Sequence, residues 1–277
     1  MNPDSPADIR ALLETRGLAL KKRWGQNFLV NRGARERLVD ILSPRRDETV
    51  WEIGPGLGSM TELLAAAAGR VFAFEVDRGL CRWLEESLKG LPNFTLVPGD
   101  FLHTWKGTRE THGAPDRILG NLPYRSASLM IADIVESGMH PPRMVFTVQR
   151  ELADRMVSPP GQKSYSSFSV LCQSCFSVNG RGDLQPGSFY PVPDVVSSIV
   201  EMTPAPWAPD LTQLKELSRL ARMLFASRRK TIRNNAKDEA VMDALQQEGI
   251  DLGLRAEQIA PETYLRLARR LTGASAP

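Results

Sequence analysis

The sequence predicts an α/β fold, a doubly wound, mostly parallel sheet over residues 1–204 with a small all-helical domain over 205–277. Three observations predict it. From Thr49 to Val148 short apolar runs alternate with segments of helical periodicity, the pattern of βαβ units joined by right-handed crossovers. The first run, Val50-Trp51-Glu52-Ile53, opens directly into Gly54-Pro55-Gly56-Leu57-Gly58, a turn whose glycines let the backbone reverse sharply beside a ligand. The proline-rich stretch Thr203 to Pro209 reads as a linker, and beyond Asp210 the pattern is helical to near Thr272.

Composition supports a soluble chain. At 277 residues, 42% hydrophobic and 24% charged, it has room for one large and one small core. The three cysteines Cys81, Cys172 and Cys175 cannot all pair, which points to a reducing, cytoplasmic compartment. No window approaches a membrane span, and Met1 to Ser5 lacks a signal pattern. The net charge of +3 is small, so the placing of charge matters more than its sum.

Taken in order, Ser5-Pro6-Ala7-Asp8 starts a helix, with serine as cap, proline at the first position and an acid in the first turn. Ile9, Leu12 and Leu13 share its inner face, and it stops near Gly17. A second helix is expected from Arg32 to Leu42, with Leu38, Ile41 and Leu42 inward and Pro44 ending it. Strands follow at 50–53, 71–75, 94–97, around 118–119 and at 144–148, with helices at 59–68, 80–88 and 130–135. Ser169 to Val178 and Ser197 to Met202 read as strands that close the sheet with an antiparallel edge.

Chemistry gathers at the carboxyl ends of these strands, where open sheets of this kind bind ligands. Glu75 ends the second strand about twenty residues after the glycine turn, where an acid accepts hydrogen bonds from ribose hydroxyls. Asp100 ends the third and is placed to accept from an adenine amino group. The third glycine of the turn comes one residue early for a dinucleotide fingerprint, and Pro55 stiffens it. That suits a nucleoside cofactor without phosphate, such as S-adenosylmethionine, better than a pyrophosphate. There is no P-loop. Asn121-Leu122-Pro123-Tyr124 ends the fourth strand. An amide, a proline and a phenol suit a flat, nitrogen-bearing ring, not an acid/base pair or a nucleophile. Cys172-Gln173-Ser174-Cys175 has no second cysteine pair and no histidine at ligand spacing, so these read as buried thiols and no metal is expected.

Glu52-Ile-Gly-Pro-Gly, Gly25-Gln-Asn-Phe-Leu and Asn121-Leu-Pro-Tyr together resemble the ribosomal RNA adenine N6,N6-dimethyltransferases, in particular the bacterial type that modifies small-subunit rRNA. Phe189-Tyr-Pro-Val-Pro-Asp-Val-Val-Ser resembles the family's F-x-P-x-P-x-V-x-S, and Ser227-Arg-Arg-Lys-Thr-Ile-Arg-Asn-Asn its C-terminal motif. The resemblance covers about residues 20–270, with the motifs in the family's order. It implies a class I methyltransferase fold with S-adenosylmethionine as methyl donor. Asn27 and Leu29 would close over the cofactor, Gly54 and Gly56 approach its amino-acid part, Glu75 hold the ribose and Asp100 the adenine amino group. Asn121 would lie between cofactor and target base. The implied substrate is two adjacent adenosines in a hairpin near the 3′ end of small-subunit (16S) rRNA, each dimethylated on N6 late in subunit biogenesis. The implied partner is the 30S pre-ribosomal particle, with the enzyme a monomer. The chain departs from the family at Ser166, where glycine is usual, and at Asp194, where lysine is common.

On this reading Asn121 accepts from N6 together with a carbonyl near Leu122-Pro123, Tyr124 stacks on the base and Phe189 covers its other face. Arg228, Arg229, Lys230 and Arg233 form a candidate phosphate-contacting cluster, as does Lys21-Lys22-Arg23 with Trp24. Two alternatives stand beside it: a large-subunit rRNA adenine methyltransferase of the macrolide-resistance type, and a non-catalytic ribosome assembly factor.

Overall fold

A computed structural model describes residues 1–20 and 25–273, so the basic arm expected at 21–24 lies outside the described residues. The chain divides into two compact units: residues 1–130, 141–150 and 180–202, and residues 131–140, 151–179 and 203–277.

The first unit begins with helix α1 (Pro6–Thr15), whose cap is the expected one: Ser5 Oγ accepts from Asp8 N at 3.2 Å. Strand β1 (Phe28–Leu29) precedes α2 (Arg32–Leu42), which has the expected bounds and is capped by Asn31. Then come β2 (Thr49–Ile53), α3 (Ser59–Ala67), β3 (Arg70–Glu75), α4 (Arg78–Ser87), β4 (Phe94–Pro98), α5 (Phe101–His112) and β5 (Arg117–Asn121), and, after α6 (Ala127–Glu136), most of which belongs to the second unit, β6 (Arg143–Gln149). All the strands expected up to residue 148 are present. Helix α5 was not expected; its polar stretch Lys106 to Glu110 hides the buried face made by Phe101, Trp105 and Thr108.

The main sheet has the order β4-β3-β2-β5-β6-β9-β7, with β7 at Phe176–Leu184 and β9 at Ser197–Pro204. Strands β2 to β6 are parallel, and β9 runs antiparallel to β6. Chain order runs outward from β2 to β4, then crosses to β5 on the other side of β2. The carboxyl ends of β2 and β5 therefore form the topological switch point, the place where such sheets bind ligands. Ile53 pairs with Gly120 there, which sets Gly54 beside Asn121. A two-stranded ribbon of β1 and β8 (Phe189–Tyr190) pairs Leu29 with Phe189. Leu29, Leu38, Leu64, Leu119, Val145, Phe189 and Ile199 share one core under α2 and α3.

The second unit is larger than the expected 205–277. It holds most of α7 (Arg150–Val157), α8 (Ser167–Cys175), α9 (Leu211–Leu224), α10 (Ile232–Asn235), α11 (Glu239–Gln247) and α12 (Pro261–Leu271). The expected strand at 169–178 is a helix up to Cys175, and β7 begins only at Phe176. The cause is the cap. Ser166 Oγ accepts from Ser169 N while Ser169 Oγ accepts from Ser166 N at 2.9 Å, a reciprocal box that starts a helix where β-branched and aromatic residues favour a strand. Tyr165 and Tyr264 are fully buried, each donating its hydroxyl to a backbone carbonyl at 3.0 Å, of Ile259 and Ala256 respectively. Among the described residues no helix is long and apolar enough to cross a membrane.

Candidate active site

Sequence puts glycine at 54, 56 and 58 because the turn takes φ of +75°, +59° and +88° at those positions, a region costly for other residues. At Gly56 a Cβ would also stand 3.0 Å from the Phe28 ring. The turn bounds a cavity at the switch point, lined among others by Asn27, Leu29, Gly54, Gly56, Glu75 and Asn121. Six of the residues expected to bind a cofactor thus meet at one place.

Glu75 is buried on the cavity wall. It accepts from Asp77 N at 2.8 Å and, at the long distance of 3.3 Å, from Gly56 N. Burial pushes its carboxyl up to about 7, against those two bonds. A ligand hydroxyl would find acceptor capacity there. Glu52, one strand inward, is also pushed up to about 7 by burial; both its oxygens are buried without a hydrogen bond of normal geometry.

Asn121 is fixed by its amide. Its Nδ2 donates to the Asn27 carbonyl at 2.8 Å, which turns Oδ1 away from that bond and leaves it to accept. Asn27 Nδ2 in turn donates to the Gly25 carbonyl at 3.3 Å. Leu122 is buried and its N–H donates to Thr147 O at 3.0 Å. The Pro123 carbonyl is taken by Ser126 N and Ala127 N at 3.1 and 3.0 Å, where α6 begins. The Leu122 carbonyl accepts no backbone N–H from the described residues. Of the two carbonyls considered from the sequence, Pro123's is the one already taken.

Tyr124 faces a second, open cleft of about 570 Å³, whose walls include Asn27, Gln149, Pro191, Val192 and Val195. The two cavities share Gly25, Gln26 and Asn27 as a common wall. The Tyr124 hydroxyl shares a 2.7 Å hydrogen bond with Ser197 Oγ, and partial burial raises its pKa despite that bond. Val192 and Val195 are exposed at the rim.

Phe189, Asp100 and the Arg228 cluster do not line these cavities. Phe189 is 1% exposed and packs in the core beside Leu29 and Ile199, so it does not cover a base. Its pairing with Leu29 across the ribbon turns the ring inward. That motif meets the site instead through Pro191 to Val195, which line the cleft, and through Ser197, which bonds Tyr124. Asp100 caps α5, accepting from Leu102 N at 3.0 Å, and is not on the cavity wall. It lies two residues beyond Pro98, which pairs with Glu75. Arg228 donates to Glu257 from Nε at 3.0 Å and Nη2 at 2.7 Å, so its charge is already matched. Arg229, Lys230 and Arg233 are exposed.

Gln149 and Arg35 are among the lining residues that were not foreseen. Gln149 ends β6, so the rule that singled out Glu75 and Asn121 applies equally to it. Arg35 lines the cavity at the glycine turn from α2 and is buried. It stands in line with Leu38 and Leu42 on the helix's inner face, and a cation on an apolar stripe was the available signal.

The pattern of the family described as ribosomal RNA adenine dimethylase matches residues 17–273. A Treponema denticola protein named ribosomal RNA small subunit methyltransferase A is 38% identical, over 96% of this chain and 94% of its own length. A protein of the same name from Borreliella burgdorferi (strain ZS7) is 36% identical, over 98% of this chain and 95% of its own. Among solved structures, a dimethyladenosine transferase from Plasmodium falciparum matches with a TM-score of 0.75 at 22% identity, covering 86% of this chain and 94% of that one. The 23S rRNA methyltransferase ErmE matches with a TM-score of 0.65 at 25% identity, covering 89% of this chain and all of that one. With a class I methyltransferase sheet, a glycine turn at its switch point and Asn-Leu-Pro-Tyr beside it, this chain belongs to the ribosomal RNA adenine dimethylase family.

Proposed function

We infer that this protein transfers methyl groups from S-adenosylmethionine to N6 of two adjacent adenosines in small-subunit rRNA, giving N6,N6-dimethyladenosine. The observation that carries the mechanism is the Asn121 amide, locked by Asn27 with its oxygen left to accept. The cavity suits the cofactor: a glycine turn with room only for bare backbone, and a buried acid partnered by backbone N–H groups. Asn27, Leu29, Gly54 and Gly56 would enclose it, and Glu75 would take the ribose hydroxyls. Bound there, the cofactor supplies an electrophilic methyl group on a sulfonium.

The chain's own residues prepare the nucleophile. The N6 lone pair of adenine is delocalised into the ring. Asn121 Oδ1 and the Leu122 carbonyl accept the two N–H bonds and favour a tetrahedral nitrogen, with its lone pair turned toward the cofactor cavity. No general base is required before transfer. Pro123 fixes the chain so that the Leu122 carbonyl holds one direction. Tyr124 stacks on the extruded base, held by Ser197. Arg229 and Lys230 contact the RNA backbone. The partner is the 30S pre-ribosomal particle, met in the cytoplasm by a monomer.

The small-subunit reading is preferred over the large-subunit one because the full-length relatives bear small-subunit names. An intact Glu75 and Asn121 around one cavity argues for catalysis over binding alone. The test uses labelled cofactor and purified, unmethylated small subunits. Wild-type protein should place label in small-subunit dimethyladenosine, and Asn121→Ala should bind cofactor within a few-fold of wild type while transfer is lost. Near-normal dimethylation by Asn121→Ala would overturn the mechanism; label only in large-subunit RNA would overturn the substrate.

A further inference from the structure

The cofactor cavity contains one charge that the reading above leaves without a task. Arg35 is a guanidinium on α2 whose side chain is 4% exposed. Its Nη1 donates to the Leu29 carbonyl at 2.7 Å, and its Nη2 to Asp4 near the chain's start. Its Nε is buried with no hydrogen-bond partner. Asp4, its ion-pair partner, is 37% exposed and half in water. A buried cation facing a partly solvated anion and holding one N–H unused is poorly compensated, because desolvation of a charge is costly unless it is fully paired.

Its position adds a direction. Arg35 lines the cavity together with Ser59 and Met60, which open α3 just after the glycine turn. Helix α2 packs on α3, β5 and β6. Glu75 ends β3, on the other side of β2. The cavity therefore carries an acid on one side of the glycine turn and a cation, beside a helix N-terminus, on the other. The ligand has matching ends: ribose hydroxyls at one, a carboxylate at the other.

We propose that Arg35 anchors the carboxylate of the cofactor's amino-acid end. This rests on the S-adenosylmethionine reading of the cavity. A carboxylate there satisfies the unused guanidinium N–H and adds to the positive end of α3. Asp4 then acts as the stand-in that holds Arg35 oriented before the ligand arrives.

The test is binding by calorimetry, using S-adenosylmethionine and decarboxylated S-adenosylmethionine, which keeps the ribose, sulfonium and amine. Wild type should prefer the carboxylated form by roughly 10- to 100-fold, the range of a hydrogen bond to a charged group. Arg35→Met should weaken S-adenosylmethionine by that factor, leave the decarboxylated form no weaker, and so erase the preference. Should Arg35→Met fail to fold, Arg35→Lys keeps the charge without the fork and should lose most of the preference. Asp4→Asn should retain it. The proposal is overturned if wild type binds both ligands alike, or if Arg35→Met weakens both equally. If wild type binds neither ligand, the reading of the cavity itself fails.

Discussion

Tyr124 and Ser197 share a hydrogen bond that holds the phenol against the cleft. Their roles separate by substitution. Tyr124→Phe keeps the stacking face and should cut kcat/KM about 3- to 10-fold, the value of one neutral hydrogen bond. Ser197→Ala should match it. Tyr124→Ala loses the face as well and should cut kcat/KM roughly 5- to 150-fold, the range for base stacking. Single-turnover methylation of small subunits measures all three. Glu52 and Glu75 make the ligand-free protein sensitive to pH. Burial raises both from 4.5 to about 7. The folded state then holds protons that the unfolded state has released. Stability should be full below about pH 4.5 and fall as pH rises to about 7. Glu52→Gln should remove roughly half of that slope, measured by urea unfolding at pH 5, 6 and 7; an unchanged slope would show that Glu52 is already ionised. Read by the strand-end rule, residue identity led to Asn121 and Glu75, which the fold brings to one cavity. It was misread for Phe189, because a pattern of apolar and proline residues does not say which ring turns inward.

At the scale of elements, the glycine turn and the ribbon of β1 and β8 depend on each other. Phe28 lies on the turn, and its neighbour Leu29 pairs with Phe189. Gly56→Ala adds a methyl 3.0 Å from the Phe28 ring at a φ of +59°. It should destabilise the protein by about 1–2 kcal/mol from backbone conformation alone. It should also weaken cofactor binding at least tenfold, since Phe28 and the turn both line the cavity. Thermal unfolding and cofactor titration check the two effects separately. The parallel strands were legible because each is a short apolar run between helical segments. Helix α8 was not, since its sequence has strand-forming residues and its start depends on two serines that bond each other's backbone. The departure from the family's usual glycine at Ser166 thus has a local structural use.

At the scale of the whole molecule, the basic cluster divides by pairing: Arg228 is held by Glu257, while Arg229, Lys230 and Arg233 are exposed and carry the proposed RNA contact. Arg229→Ala, Lys230→Ala and Arg233→Ala combined should lower the slope of log affinity for small subunits against log salt by roughly 2 to 3. Arg228→Ala should leave that slope unchanged and cost about 1 kcal/mol or less of stability, because its partner is Glu257. Filter binding across a salt series, with denaturation alongside, decides between them. Asn235, at the end of the same motif, is structural too: its Nδ2 donates to the carbonyls of Leu224 and Ser227 at 2.7 and 2.9 Å.

By itself the sequence determined the layered α/β architecture, the glycine turn, the acids at strand ends and the Asn-Leu-Pro-Tyr site. Each of these follows from local spacing, from the period of apolar residues or from a residue type that only one backbone conformation favours. Tertiary structure alone decided that the Pro123 carbonyl is taken by α6, that Phe189 belongs to the core, that Arg228 is already paired and that Arg35 lines the cavity at the glycine turn. Those are questions of which distant groups meet. A strand pairing between residues 29 and 189, or an ion pair between 228 and 257, is set by how strands come together and how helices pack, and local sequence carries no record of it.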